Sequence, residues 1–471
     1  MDSRISARVL TKALGGWRTR EPAYEALADG IRLLCLDGRV AAATALPAER
    51  ELATALGLSR TTVATAYRSL RETGHITSLR GSGSITQPVG RRPPGRVDAS
   101  PGAIDLQQAS PSAWPGLAGI IAEVAADAAA LVARPGYDLT GDPDLRRAIA
   151  DRYTERGLAT TAEQILVTAG AQAGIDLVAD TLLRRGDRVV IETPTYPHAA
   201  ESLRAAGARL VGVPVSCEDG WDLDRAVQAF ERSEPAMAYL MPAFQNPTGR
   251  TMTDAEQVRI SVAAARAGAV VVVDDTTAEL ALDDAARPDL TLPSAEVRIG
   301  SLGKIVWGGL RIGWVRTDPE TIRLLVAARP RRDLGTPDFE QAVDARLLRR
   351  MPEILVQRAG LLRDGRDALA AALRTRLPEW QIPDVHGGVA LWVGLDAPLS
   401  GPLVLAARDE GIYLSAGGRF GIDGGHEARL RVPFTAPPAD LTRAVEVLAE
   451  LWPDIRARAP RVEVDMLDAV V

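Results

Sequence analysis

The amino-acid sequence predicts a multidomain chain: an N-terminal winged helix-turn-helix, an α/β body on a large, mostly parallel sheet, and a small α+β lobe at the C-terminal end. Three observations predict this. The length, 471 residues, is about three times the usual domain size. Residues 1–96 hold 15 Lys+Arg against 8 Asp+Glu, whereas the remainder holds 40 against 53. The hydrophobic pattern also changes along the chain, from short helical periods to Val- and Ile-rich runs alternating with longer helical ones.

The totals exclude several classes. Cys35 and Cys217 are the two cysteines and form no CxxC, which argues against a disulfide framework or a cysteine metal site. His75, His198, His386 and His426 have no metal-site spacing, so no metal is expected. The opening MDSRISARVLTKALGGWRTR lacks a leader's apolar core, and no run reaches about 18 apolar residues, so a soluble cytoplasmic protein without a membrane partner is expected. The net charge of -6 argues against a nucleic-acid partner until it is divided: the first 96 residues carry +7 and the rest -13. A basic block on an acidic body is the asymmetry of a segment that meets a polyanion.

Within the basic block, LPAERELATALGLSRTTVATAYRSLRETG, residues 46–74, reads as two helices around a tight turn. Pro47 suits a first helical turn, Gly57 a helix end, and Ser59 the N-cap of a second helix with Val63, Ala66, Tyr67 and Leu70 on one face. That helix opens with Arg60, Thr61 and Thr62, where this motif meets base edges and phosphates. HITSLRGSGSIT then reads as two short strands around a tip with Arg80 and Gly83, a wing able to approach a phosphate backbone. An ordinary helical hairpin is the plain alternative.

Residues 87–116, rich in Pro, Gly and Ser, read as a linker. After it RVVIE, RLVGVPV, MAYLMP, AVVVVDD and VRIGSLG alternate with helical segments, which implies βαβ units whose ligands sit at the C-terminal ends of the strands. The divisions are 1–86 for the head, 87–116 for the linker, 117–330 for the large domain and 331–471 for the small lobe.

One residue stands out by composition. Of the 55 Lys+Arg, only Lys12 and Lys304 are lysine. Arginine supplies charge but stays protonated, whereas a lysine amine can form a Schiff base. Drift in an arginine-biased chain would instead leave Lys304 an ordinary surface cation, so its neighbours decide. A pyridoxal phosphate site needs an amine, a carboxylate at the ring nitrogen, phosphate donors and a flat group on the ring. Asp274 closes the strand AVVVV where such a carboxylate belongs, and Asp275 points the other way. Gly170, Ala171 and Gln172 stand at a helix N-terminus, where free N–H groups favour a phosphate. Ser301 and Arg311 flank Lys304 and could complete the grip. Tyr196 in ETPTYPH could stack on the ring, or serve as core, and Asn246 in QNPTG could donate to the phenolic oxygen, or serve the turn.

From Tyr24 through LPAERELA, LSRTTV and RGSGSI, the head resembles the GntR-type winged helix. YDLTGDPDLRRAIADRY, VTAGAQ, TPTYP, QNPTG, VVDD and SLGKIVWGGLRIG resemble, in order, the fold type I aminotransferases. Together they make nearly the whole chain similar to MocR/PdxR-family regulators. The resemblance implies a double-stranded operator contacted by Arg50, Arg60, Thr61 and Thr62 with the wing at Gly83, and a homodimer. It also implies Lys304 in an internal aldimine with pyridoxal 5'-phosphate, Asp274 at the ring nitrogen, Tyr196 on the ring face, and Ser301 and Arg311 at the phosphate. Arg431 in ARLRVPF is implied for an effector's carboxylate, with Arg429 on the same strand face as its rival. One departure is visible: the family's D-x-Y reads here with Thr276 in place of tyrosine, which predicts cofactor binding with feeble turnover.

Three functions follow as expectations. The first is a transcription factor that senses pyridoxal phosphate itself, or an amino acid or amine that reacts with it. The second is an aminotransferase carrying a DNA-binding head. The third is a purely structural DNA-binding protein with an inert body, in which Lys304 stays unmodified.

Overall fold

The computed structural model describes residues 3–79, 83–88, 102–283, 290, 292 and 295–460. In the head, helices Ala7–Leu14, Ala23–Leu36, Glu49–Leu56 and Arg60–Glu72 enclose a core of Leu27, Ile31, Leu52, Val63, Ala66, Tyr67 and Leu70. The last four are the face expected from the sequence. Ser59 caps the fourth helix, accepting from the Thr62 N–H at 3.0 Å, and Gly57 ends the third in the left-handed region at φ 64°. Pro47 differs from expectation: the third helix begins at Glu49, and the Pro47 carbonyl instead accepts from the Tyr67 hydroxyl at 2.9 Å. Ile76–Leu79 and Gly83–Thr86 pair antiparallel as the wing, and Arg80 lies outside the described residues.

The body is built on an eight-stranded sheet in the order Ile165–Thr168, Gly313–Arg316, Val297–Ser301, Val270–Asp274, Met237–Leu240, Arg188–Thr193, Arg209–Ser216 and Gly220–Trp221. Only Gly313–Arg316 and the edge strand Gly220–Trp221 run against the rest, so the mostly parallel expectation holds. The strands are buried on both faces because helices such as Ala171–Leu182 and Pro197–Ala205 cover one side and Leu223–Ser233 and Asp254–Ala267 the other. In register, Thr168, Gly313 and Ser301 stand side by side on three adjacent strands, and the strand of Ser301 pairs directly with that of Asp274.

Beyond residue 330, the long helix Met351–Arg376 packs against the helix Pro438–Arg456, and both share a hydrophobic core with a three-stranded sheet of Ala390–Gly394, Arg429–Pro433 and Ser415–Ala416. The linker reading needs correction for residues 102–116. Ile104–Asp105 forms a strand paired parallel with Ile412–Tyr413, Trp114 is buried, and its indole donates to Gln357 Oε1 at 2.6 Å. Pro, Gly and Ser dominate that stretch by number, but three apolar side chains, Ile104, Leu106 and Trp114, anchor it in the body's core.

The head touches the small lobe. Helix Ala23–Leu36 packs on helix Ser400–Asp409, where Gly401 permits the approach: a Cβ there would lie 3.1 Å from Leu33 Cδ2. Lys12 pairs with Asp423 at 2.7 Å, the Gly16 N–H donates to Glu427 at 2.9 Å, and Arg458 pairs with Glu21 at 2.9 Å. Among the described residues, no helix is long and apolar enough to cross a membrane.

Candidate functional site

The C-terminal edge of the sheet gathers most of the residues singled out by sequence. Lys304 lies just past Val297–Ser301, and its amine donates to the Ala109 carbonyl at 2.7 Å. Burial, reinforced by the positive charge of Arg431, lowers its pKa to about 8. A buried amine held by one backbone carbonyl, without an acid bonded to it, is poised to act as a neutral nucleophile.

Asp274 and Asp275 divide as the strand's alternation dictates. Asp274 is buried, and its carboxylate accepts from the Tyr239 hydroxyl at 2.5 Å, the Thr276 hydroxyl at 2.6 Å and the Thr276 N–H at 2.9 Å. Burial raises its pKa, and these donors oppose the rise. Asp275 faces the opposite side and forms a fork with Arg298 at 2.7 and 2.9 Å. Thr276 therefore acts on the aspartate two residues before it, a use of this position that its short side chain allows.

Gly170 precedes helix Ala171–Leu182 at φ 89° and offers no side-chain cap, leaving the first N–H groups of Ala171 and Gln172 at an open helix end. Two close approaches shape this corner. A Cβ on Gly170 would stand 2.7 Å from Arg311 Nη2, and one on Gly313 would stand 2.4 Å from the Gly170 carbonyl carbon. Arg311 donates to Ala169 O at 3.2 Å, Ser301 Oγ donates to Ile312 O at 2.8 Å and accepts from Gly303 N at 3.0 Å, and Gln172 Oε1 is buried without a partner among the described residues. Helix end, guanidinium and hydroxyl thus gather at one corner of the site.

Tyr196 opens helix Pro197–Ala205, and burial raises its hydroxyl pKa to about 12. Asn246 is half-buried in the turn after Met237–Leu240. Of the two rival arginines, Arg431 is buried and Arg429 turns to Glu218 at 3.4 Å. Arg431 lies over the Phe420 ring at 4.8 Å, donates to Gln107 O, and keeps Nε buried without a partner among the described residues. No carboxylate pairs with it among the described residues, and burial lowers its pKa to about 10. Sequence reasoning missed Ala109, Gln107 and Phe420. The first two sit in the stretch read as linker, and a backbone carbonyl leaves no signal in side-chain identity.

The donor set fits pyridoxal phosphate: one buried amine, one buried carboxylate, an uncapped helix end beside a guanidinium, and an aromatic ring. The head presents a separate surface. Arg50, Arg60, Thr61 and Gly83 are exposed and Thr62 is half-buried; Arg60 keeps a loose 3.7 Å contact with Glu49, and Thr61 and Thr62 hydroxyls both bond Ser59 Oγ at 2.7 Å. Arg60 and Thr61 begin the second helix of the motif, where a duplex would be met.

Comparison with known proteins agrees with this division. The family "Aminotransferase class I and II" matches residues 121–448, and "Bacterial regulatory proteins, gntR family" matches residues 23–85. The uncharacterized HTH-type transcriptional regulator YdfD of Bacillus subtilis is 24% identical over 93% of this chain and 98% of its own length. The probable rhizopine catabolism regulatory protein MocR of Rhizobium meliloti is 29% identical over 64% of this chain and 66% of its own. Among solved structures, LysN, the α-aminoadipate aminotransferase of Thermus thermophilus complexed with N-(5'-phosphopyridoxyl)-L-leucine, superimposes with a TM-score of 0.69 at 28% identity, covering 76% of this chain and 93% of LysN.

Proposed function

Since the chain belongs to the class I and II aminotransferase family and joins that fold type I body to a GntR-type DNA-binding head, as MocR-like regulators do, we propose that it binds an operator and senses pyridoxal phosphate, or an amino acid or amine that reacts with it there. The observation that carries the reading is the pairing of Lys304, a buried amine with its pKa near 8, with Arg431, a buried guanidinium lacking a carboxylate partner among the described residues. When bound, pyridoxal phosphate supplies an electrophilic carbonyl and an electron-accepting ring.

The chain's own residues do the rest. Lys304 offers its neutral amine as nucleophile. Asp274, oriented by Tyr239 and Thr276, holds a proton at the ring nitrogen, and Tyr196 covers the ring face. Ala171 and Gln172 N–H groups, Ser301 and Arg311 neutralise the phosphate, and Asn246 steadies the phenolic oxygen. Arg431 receives the effector's carboxylate as a fork. Arg50, Arg60, Thr61, Thr62, Arg80 and Gly83 meet DNA, and a homodimer would present two heads to two half-sites.

Two measurements test the proposal. Purified protein with pyridoxal phosphate should show a visible absorbance band that amino acids shift, and borohydride should fix a pyridoxyl adduct on Lys304. Absence of the adduct from saturated protein rejects the cofactor reading. Multiple-turnover transamination at ordinary enzyme rates would favour an aminotransferase with a DNA-binding head, and Thr276 predicts feeble turnover instead.

A further inference from the structure

We infer that Asp37, at the end of a helix of the DNA-binding head, is the group through which the head reads the state of the Arg431 pocket, with Arg419 as its partner on the body. The inference rests on the proposed sensing function and adds its route.

The route is short and made of named contacts. Arg431 lies on the ring of Phe420, 4.8 Å from centroid to guanidinium carbon. The Phe420 carbonyl accepts from Thr195 N at 3.0 Å, one residue before Tyr196. Phe420 follows the 3-10 turn Gly417–Arg419, and Arg419 pairs with Glu201 at 2.9 Å, on the helix that Tyr196 opens. Residues 417–420 therefore touch both supports of the ligand pocket, the carboxylate-binding guanidinium and the ring-stacking loop.

The other side of the turn faces the head. A Cβ on Gly418 would stand 3.5 Å from Arg39 Nη1, and Arg39 donates to the Ala13 carbonyl at 2.5 Å. Beside it, Asp37 follows helix Ala23–Leu36, and its Oδ2 is sealed from solvent without a hydrogen-bond partner among the described residues. The cations whose charge acts on that carboxylate are Arg419, Arg39 and Arg408, and two of the three belong to the body. A carboxylate oxygen sealed without a partner is costly, and none of these three arginines is bonded to it among the described residues.

Arg419 is bonded to Glu201, and its charge also acts on Asp37, to which it makes no bond among the described residues. A ligand carboxylate on Arg431 and a ring against Tyr196 bear on the turn from both sides, so a small displacement trades one partner for the other. Elsewhere the junction is tied by Lys12 to Asp423 and by Gly16 to Glu427, which confines the change to this corner. Two discrete pairings biased by one ligand satisfy what energetic coupling between sites requires.

Hydrogen exchange tests this in the full chain, with pyridoxal phosphate alone and with N-(5'-phosphopyridoxyl)-L-leucine, which adds a carboxylate to the same ring. In the wild type, the conjugate should change exchange both in residues 417–420 and in residues 23–37, relative to pyridoxal phosphate alone. Asp37→Asn should keep the conjugate's affinity and the turn's response while the helix response falls to the pyridoxal phosphate level; Arg419→Gln should lose the helix response as well. Asp37→Asn removes a charge with one oxygen sealed and unpartnered among the described residues, and should not lower Tm. An unresponsive helix in the wild type, or an undiminished response in Asp37→Asn, overturns the inference while leaving the sensing function intact. A bound conjugate that leaves the turn itself unchanged takes down the Arg431 reading, and the relay with it.

Discussion

Arg298 and Arg431 are both buried guanidinium groups on strands of the body, yet they live differently. Arg298 has a bidentate pairing with Asp275 at 2.7 and 2.9 Å and donates to Leu292 O at 2.9 Å. Burial alone would lower its pKa, but Asp275 overrides it and the pKa is held above the ordinary value. Arg431 has a ring face, one carbonyl and an idle Nε, and burial takes its pKa down to about 10. The difference separates a cation paired within the fold from one that, on the proposed function, receives a ligand. Buried charge without its counter-charge costs stability, so its persistence points to function.

The comparison can be broken or sharpened by experiment. The largest effect is expected at the amine beside Arg431: Lys304→Ala should abolish the visible band and the borohydride-fixed adduct, read by absorbance and mass spectrometry. Next, Arg298→Met strands Asp275 and should cost about 3 to 5 kcal/mol in a denaturant titration. Arg431→Met should leave the unfolding midpoint unchanged or higher, and weaken carboxylate-bearing amino acids by about 30-fold or more relative to amines lacking the carboxylate. Equal destabilisation by the two methionine variants would erase the distinction.

A smaller effect is expected with pH. With its pKa lowered to about 8, Lys304 is charged below that value and neutral above it. Adduct formation with the apo-protein should therefore rise roughly 5-fold from pH 7 to pH 8, a gain governed by the neutral fraction. A profile that climbs only near the ordinary lysine value would show a solvated amine. The smallest change belongs to an arginine in water. Arg60 is loosely paired with Glu49, and Arg60→Ala should weaken operator binding and reduce the salt slope by about 1 in a mobility-shift titration. An unchanged slope would make Arg60 a structural residue.

Much of this was legible in the residues themselves. The recognition helix with its Ser59 cap and buried Val63 face, the Val-rich strands and the division of Asp274 from Asp275 all follow from periodicity, because period and burial share one cause. Other parts were not legible. Pro47 reads as a helix opener by composition, yet its carbonyl is claimed by Tyr67. The stretch after residue 101 reads as linker because Pro and Ser outnumber the three apolar anchors, so the Ala109 carbonyl on Lys304 stayed hidden. Phe420 beneath Arg431 joins segments whose pairing only the folded chain sets. Thr276 was read as a loss, and its hydroxyl instead binds Asp274 at 2.6 Å.

The near absence of lysine has a practical consequence. Outside the α-amino group, an acylating dye or crosslinker has two side chains to attack, and one of them, Lys304, is enclosed. The other, Lys12, bridges to Asp423 at the junction of head and small lobe. Any reagent or acetyl donor that neutralises exposed lysine would thus strike this protein where head and small lobe meet, turning a generic surface chemistry into a single-site probe of how the two are fastened.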